Sequence, residues 1–266
     1  VSRDSGSLGT LHISNGGQVS LTGATDSDVL IGYARDHDND PNTARVGGTG
    51  IVTVTGTGSH LSTGDKIVVG SPISFFGGGA STGLLTVTNG GQVTAGDGVY
   101  VGLGGIFNGS AFVNGNVIND GGVVAPGNSP GTMTITGNYI QSANSILQME
   151  VNGNQAGDYD ILNVLGDLDI TTGIIEMIFS DSFLAQIVSD IALMPSLNDM
   201  FIATGIKSLD TSLIQASAAG YNSVNLVFDN QGSLSAVNAS VPVPATLLLV
   251  VIGLGGIAYK QRKLIS

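Results

Sequence analysis

Gly9-Thr-Leu-His-Ile-Ser-Asn-Gly-Gly-Gln-Val19 returns almost unchanged as Gly83-Leu-Leu-Thr-Val-Thr-Asn-Gly-Gly-Gln-Val93, and a degenerate copy runs Gly50-Ile-Val-Thr-Val-Thr-Gly-Thr-Gly-Ser-His-Leu61. Within each copy apolar and polar residues alternate. Leu11 and Ile13 alternate with Thr10, His12 and Ser14, Val52 and Val54 with Thr53 and Thr55, and Leu85 and Val87 with Thr86 and Thr88. A period of two puts every second side chain on one face, the mark of a strand with one buried side. Asn15-Gly16-Gly17 and Asn89-Gly90-Gly91 then supply the positive φ of a sharp corner. A second short strand ending in glycine follows each copy: Val29-Leu-Ile-Gly32, Ile67-Val-Val-Gly70 and Val99-Tyr-Val-Gly102. One Asn-Gly alone would suit a hairpin. Recurrence at fixed offsets, about twenty residues from first glycine to last, predicts a coil that turns the same way each time. Stacked coils would set Leu11, Val52 and Leu85 in ladders inside a tube, and the fold expected is a right-handed parallel β-helix, all-β in class.

Composition agrees. Of 266 residues 41 are Gly and only 11% are charged, so long helices are not expected. Cysteine is absent, which excludes a disulfide scaffold, a thiolate metal site and a cysteine nucleophile. Residues 1–259 hold five basic against twenty acidic side chains, a formal charge of −15. Such a body repels phosphate backbones, so nucleic acid is not an expected partner. The chain opens at Val1 with no basic-then-apolar leader, as expected of a processed secreted chain or of a fragment.

Three segments follow from texture: β-helix repeats over 1–124, a β-rich capping module over 125–240, and a distinct tail over 241–266. Residues 104–122 read as one more, irregular coil. Ala125-Pro-Gly-Asn-Ser-Pro-Gly131 is a run of turn formers. Strands are expected at Thr132–Thr136, Ile146–Val151, Ile161–Val164, Leu168–Ile170, Ile174–Phe179, Phe201–Ala203, Ser223–Phe228 and Leu234–Val237. One short helix is expected between Asp181 and Met194. There Phe183, Leu184, Ile187, Val188 and Ile191 fall at helical spacing, Asp181 or Ser182 can cap the start, and Pro195 follows the end. In the tail, Val241 to Tyr259 carries no charge and is near the ~20 residues that span a bilayer. The basic cluster Lys260, Arg262 and Lys263 would stay cytoplasmic and leave the body outside.

The tail residues Val241, Pro242, Val243, Pro244 and Ala245, the apolar stretch with Gly253, Gly255 and Gly256, and the basic end together resemble the PEP-CTERM sorting signal. Val243 stands where the commonest form of that motif has Glu. The resemblance implies processing by an exosortase, a membrane-embedded transpeptidase-like enzyme of bacteria rich in exopolysaccharide. The front repeats resemble those shared by PEP-CTERM proteins and type V secretion passengers. Ala125–Gly131, Thr134–Tyr139, Glu150-Val-Asn-Gly153, Asp158-Tyr-Asp160 and Asn198-Asp-Met-Phe201 are similar to the autotransporter-associated β-strand module. Membership implies surface display or secretion in the envelope or matrix, an adhesive or structural role, inner-membrane anchoring by one helix before processing, and no defined activity.

His12, His37 and His60 show no ligand spacing. Asp26/Asp28, Asp158/Asp160 and Asp167/Asp169 each set two carboxylates on one side of a strand or loop, as an acid and a base would need. Turn-flanking Asp more often caps backbone. No catalytic or cofactor-binding residue is assigned. Asp36, Asp38 and Asp40 offer oxygen ligands to Ca²⁺, but an EF-hand would need Gly where Pro41 stands and Glu where Gly47 stands. The function expected is non-catalytic display on the cell surface, with exopolysaccharide or surface glycans as partners. The alternative is a polysaccharide-active β-helix enzyme.

Overall fold

The computed structural model describes residues 6–23, 27–33, 46–71, 80–127 and 129–241. These residues are predominantly strand, in two large sheets paired parallel throughout, an arrangement consistent with a parallel β-helix. Three rows of strands enclose one apolar core. The first row is Leu8–Ser14, Val46–Thr55, Ala80–Thr88, Gly105–Gly109, Val123–Pro126, Ile146–Val151, Ile174–Phe179 and Ile214–Ala218. The second is Gln18–Leu21, His60–Thr63, Gln92–Ala95, Phe112–Asn114 and Thr132–Ile135. The third is Val29–Ile31, Lys66–Val69, Gly98–Gly102, Val117–Asp120 and Tyr139–Gln141. Ile161–Ile170 runs through both the second and third rows and joins them into a single twelve-stranded sheet, and Phe201–Leu209 pairs along its length.

Register explains the repeat. Leu11, Val52, Leu85, Phe107, Val124, Leu147, Ile175 and Ile214 are successive Cα partners along the first row. All but the two end residues are buried. A matching line, Val19, Leu61, Val93, Val113, Ile135, Val164 and Ala203, follows the second row. Parallel in-register stacking places each repeat's apolar phase over the last. Each fully buried Val, Leu or Phe then contributes about 1.5–3 kcal/mol that no single coil could collect.

The structure departs from the sequence reading at several points, and it adds strands at Val123–Pro126, which takes in the start of the expected turn run, at Tyr139–Gln141 and at Ile214–Ala218. Each early coil holds three strands rather than two, because the Asn-Gly-Gly corner turns the chain into a further strand such as Gln92–Ala95. Asn15 and Asn89 take φ of 54° and 53°, and Gly16 and Gly90 take 77° and 82°. Gly91 serves close approach instead: a Cβ there would lie 2.5 Å from the Val54 carbonyl oxygen. Residues 104–122 form a regular coil, paired on both sides. The strands expected at Ile161–Val164 and Leu168–Ile170 are one continuous strand with its Phe201–Leu209 register shifting between Val164 and Asp167. The helix is shorter, Asp181–Ser189 behind the N-cap Ser180, followed by a 3₁₀ turn at Ile191–Leu193 and a helical turn at Leu197–Met200. Phe183, Leu184 and Ile187 face the core, whereas Val188 and Ile191 are exposed. An antiparallel hairpin, Ser223–Phe228 with Leu234–Ser240, packs against the same core.

Among the described residues no helix is long and apolar enough to cross a membrane. Pro242, Val243, Pro244, Ala245, Lys260, Arg262 and Lys263 lie outside the described residues, and Val241 is exposed at their border. Asp36, Asp38 and Asp40 also lie outside them.

Candidate functional site: a clasped cleft on the first row

The turn corners are built from side chains that accept from the next coil's backbone. Asp28 Oδ1 accepts from Lys66 N at 3.2 Å, Asn116 Oδ1 from Asn138 N at 2.8 Å, and Asn138 Oδ1 from Asp167 N at 2.8 Å. These bonds join residues 38, 22 and 29 positions apart. Lys66 lies along the same corner, 3.4 Å from Asp65 and 3.8 Å from Asp97. The Asp28 carboxylate thus belongs to coil stacking, and Asp167 joins the same ladder of corner bonds through its backbone N–H. Asp169 flanks the buried Leu168 on the outer side, and Asp26 lies outside the described residues.

The interior of the third row carries a polar break. Ile31, Val69 and Val101 align with Asn119, Gln141 and Ile170, so two amides stand in the core. Asn119 Nδ2 donates to Ile146 O at 2.9 Å, and Gln141 Nε2 donates to Thr172 O and Ile174 O at 3.2 and 3.1 Å. The Tyr139 hydroxyl donates to Gln141 Oε1 at 2.9 Å. Burial pushes that phenol well above its ordinary range. The amides satisfy corner carbonyls that would otherwise be buried unpaired. This cluster is structural.

Chemistry converges instead on the outside of the first row. A cleft of 270 Å³ is lined by Asn108, Ala125, Pro126, Gly127, Ser129, Gln148, Glu150, Asp160 and Ile178. Its clasp is Asp160, which is 2% exposed. Asp160 Oδ1 accepts from Gly131 N at 2.8 Å and Oδ2 from Glu150 N at 2.7 Å. The loop between Val151 and Asp160 folds back antiparallel, with Asn152 N to Asp158 O at 2.8 Å and Asp160 N to Glu150 O at 2.9 Å. Asp158 Oδ2 accepts from Gln155 N within that loop. Gly127 has φ 94°, and a Cβ there would lie 2.1 Å from Asp160 Oδ1, so only glycine fits under the clasp. Ala125–Gly131, Glu150 and Asp158–Asp160, three of the segments quoted for the module resemblance, therefore meet at one place.

The electrostatics are acidic and partly unsatisfied. Burial, and then the nearby Glu150 charge, push Asp160 up to about 7 against the pull of its two backbone N–H bonds. Gln148 Nε2 donates to Glu176 Oε2 at 2.8 Å. Asn108 Oδ1 and Glu150 Oε2 are buried without a hydrogen-bond partner. No basic side chain lines the cleft. Among the described residues no group of three or more His, Asp or Glu could hold a metal ion. Two roomier depressions, beside Gly47–Thr49 and beside Phe228–Gly232, bring no pair of ionisable side chains together.

Of the sequence-proposed pairs, Asp158/Asp160 reaches the cleft, but Asp160's partner there is Glu150. Spacing could not reveal Glu150 or Asn108: the first requires the fold-back of the 152–160 loop, the second a coil stacked nearby. His60 Nε2 sits 2.9 Å from Thr94 Oγ1, His12 is exposed, and His37 is outside the described residues. Comparison with protein-family models, curated proteins and solved structures finds no match to this chain.

Proposed function

We propose that this chain is a non-catalytic, surface-displayed or secreted right-handed β-helical protein of the bacterial envelope or exopolysaccharide matrix. The observation that carries the reading is the unbroken ladder from Leu11 to Ile214. A stack hydrogen-bonded at every coil is stiff along its length and holds its outer side chains in fixed rows. The right hand follows from the general preference of parallel crossovers. The helix and hairpin at the C-terminal side act as a cap over the last coil. The 241–266 tail, through Val241–Ala245 and the Lys260, Arg262 and Lys263 cluster, delivers the body across the inner membrane and is processed there by an exosortase-type enzyme. Acidic charge on the body, −15 over residues 1–259, suits partners that are uncharged or cationic.

A polysaccharide-active enzyme is the second reading, and the Glu150–Asp160 juxtaposition favours it. The clasp geometry weighs against it. Both Asp160 oxygens are occupied by backbone N–H groups, so neither is placed to donate a proton to a leaving group. Replacing Pro242 and Pro244 with Ala tests the sorting route. The double variant is expected to stay membrane-associated with little release; release at the wild-type level would refute the exosortase reading.

A further inference from the structure

Two features adjoin on the outer face of the first row. One is the cleft, with the unpartnered acceptors Asn108 Oδ1 and Glu150 Oε2. The other is a line of outward apolar residues. Ile51, Leu84, Ile106, Val123, Ile146 and Ile174 are successive register partners, two positions before a second outward line, Thr53, Thr86, Asn108, Ala125, Gln148 and Glu176, that is polar except at Ala125. They are half-buried, and Ile106 is 38% exposed. An apolar line on the solvent side of a solenoid costs solubility and is characteristic of a contact surface.

The donor–acceptor inventory narrows the ligand. Two buried acceptors demand donors, because an unpaired buried oxygen has lost the hydrogen bonds that water gives it. An anionic ligand is disfavoured: Glu150 and Asp160 line the cleft and no cation does. A divalent cation is also disfavoured. Calcium takes about six to eight oxygens, whereas Asp160 has both of its oxygens committed to backbone. A donor-bearing ligand without negative charge remains, and the apolar line beside the cleft favours one with many O–H donors and an apolar face over an ammonium or guanidinium, small enough for 270 Å³ at its inserted end.

We propose that this face binds an uncharged polysaccharide. One pyranose unit enters the cleft, where rotation of the Asn108 and Glu150 side chains brings Oδ1 and Oε2 to its hydroxyls, with its C–H face on the half-buried Ile178. Neighbouring units lie along the apolar line. The step is binding only; no bond is made or broken. The inference deepens the display reading and depends on it only for where the polysaccharide is met.

The test is calorimetric titration of the purified full chain with a neutral glucose hexasaccharide, an acidic uronate hexasaccharide and CaCl₂. The neutral oligosaccharide is expected to bind and the acidic one not to. Asn108→Ala should weaken binding about tenfold, the loss of one hydrogen bond to a buried acceptor, and Glu150→Gln, whose neutral amide oxygen is the weaker acceptor, should weaken it several-fold. Ile106→Ser, on an exposed side chain that the fold does not require, should weaken it several-fold. Unfolding curves of the variants separate lost binding from lost structure. Absence of neutral-saccharide binding, or equal binding by wild type and all three variants, would overturn the proposal. So would tight calcium binding lost in Glu150→Gln, which would make the cleft a cation site. None of these outcomes bears on where the protein resides in the cell, so failure here leaves the display reading to its own test.

Discussion

Asp160 concentrates the energetics of the cleft in one side chain. Two loops are held by its two oxygens, and Asn in its place can accept with only one. Asp160→Asn is expected to cost about 1–3 kcal/mol in urea unfolding, against a near-neutral Asp158→Asn. The pH dependence has a definite sign. With its folded pKa raised to about 7 from 3.8, the carboxyl binds its proton more tightly folded than unfolded. That contribution is fully present below about pH 4 and is lost as pH rises toward 7. The stability gap between wild type and Asp160→Asn should therefore narrow from pH 5 to pH 8, and a gap that widens would show that burial does not govern this group. Glycine makes a second residue-scale contrast. Gly91→Ala drives a Cβ to 2.5 Å from Val54 O, whereas a Cβ at Gly64 meets nothing within 4 Å. The first should lose about 1–3 kcal/mol and the second stay within about 0.5 kcal/mol of wild type; equal effects in thermal unfolding would refute the close-packed corner.

At the scale of elements, the corner acceptors and the strand register are open to direct measurement. Asn138→Ala removes the acceptor of Asp167 N, so amide exchange at Asp167 should quicken while the Leu162 and Val164 amides stay protected. The absence of cysteine gives a clean background for cross-linking. Thr53→Cys with Thr86→Cys, direct Cα partners, should join under a short bifunctional thiol reagent, and Thr53→Cys with Thr82→Cys should join far less. This register was legible in the sequence wherever the repeat was exact, since Leu11, Val52 and Leu85 share one phase and one set of flanking glycines. It was less legible where the repeat decayed. Phe107 and Val124 continue the ladder, but Gly105–Gly109 and Val123–Pro126 are short strands without the Asn-Gly-Gly corner. The third strand of each coil was hidden because four residues such as Gln92–Ala95 are too few to declare a period. The helix end differs for a related reason: Val188 and Ile191 continue the apolar spacing of Phe183 and Leu184, yet Val188 lies on the exposed side of the last turn and Ile191 falls in the 3₁₀ turn beyond Ser189.

For the whole molecule, the two ends of the stack differ. Leu8, at the first coil, is 67% exposed, whereas the last coils are packed under Phe183, Leu184, Ile187 and Leu234. A capped last coil precedes a tail that carries no charge from Val241 to Tyr259 and has three basic residues among its last seven. Of the cleft's acidic residues only Asp160 stood out in the sequence, because Glu150 and Asn108 reach it by loop fold-back and coil stacking, while the proposed sorting signal is contiguous and could be read directly. The most direct measurement of the account is the intact mass of the native protein recovered from each cell fraction. The account predicts a surface or extracellular species lacking the residues beyond about Pro244; a full-length species confined to the cytosol, with its final apolar stretch folded into the body, would contradict it.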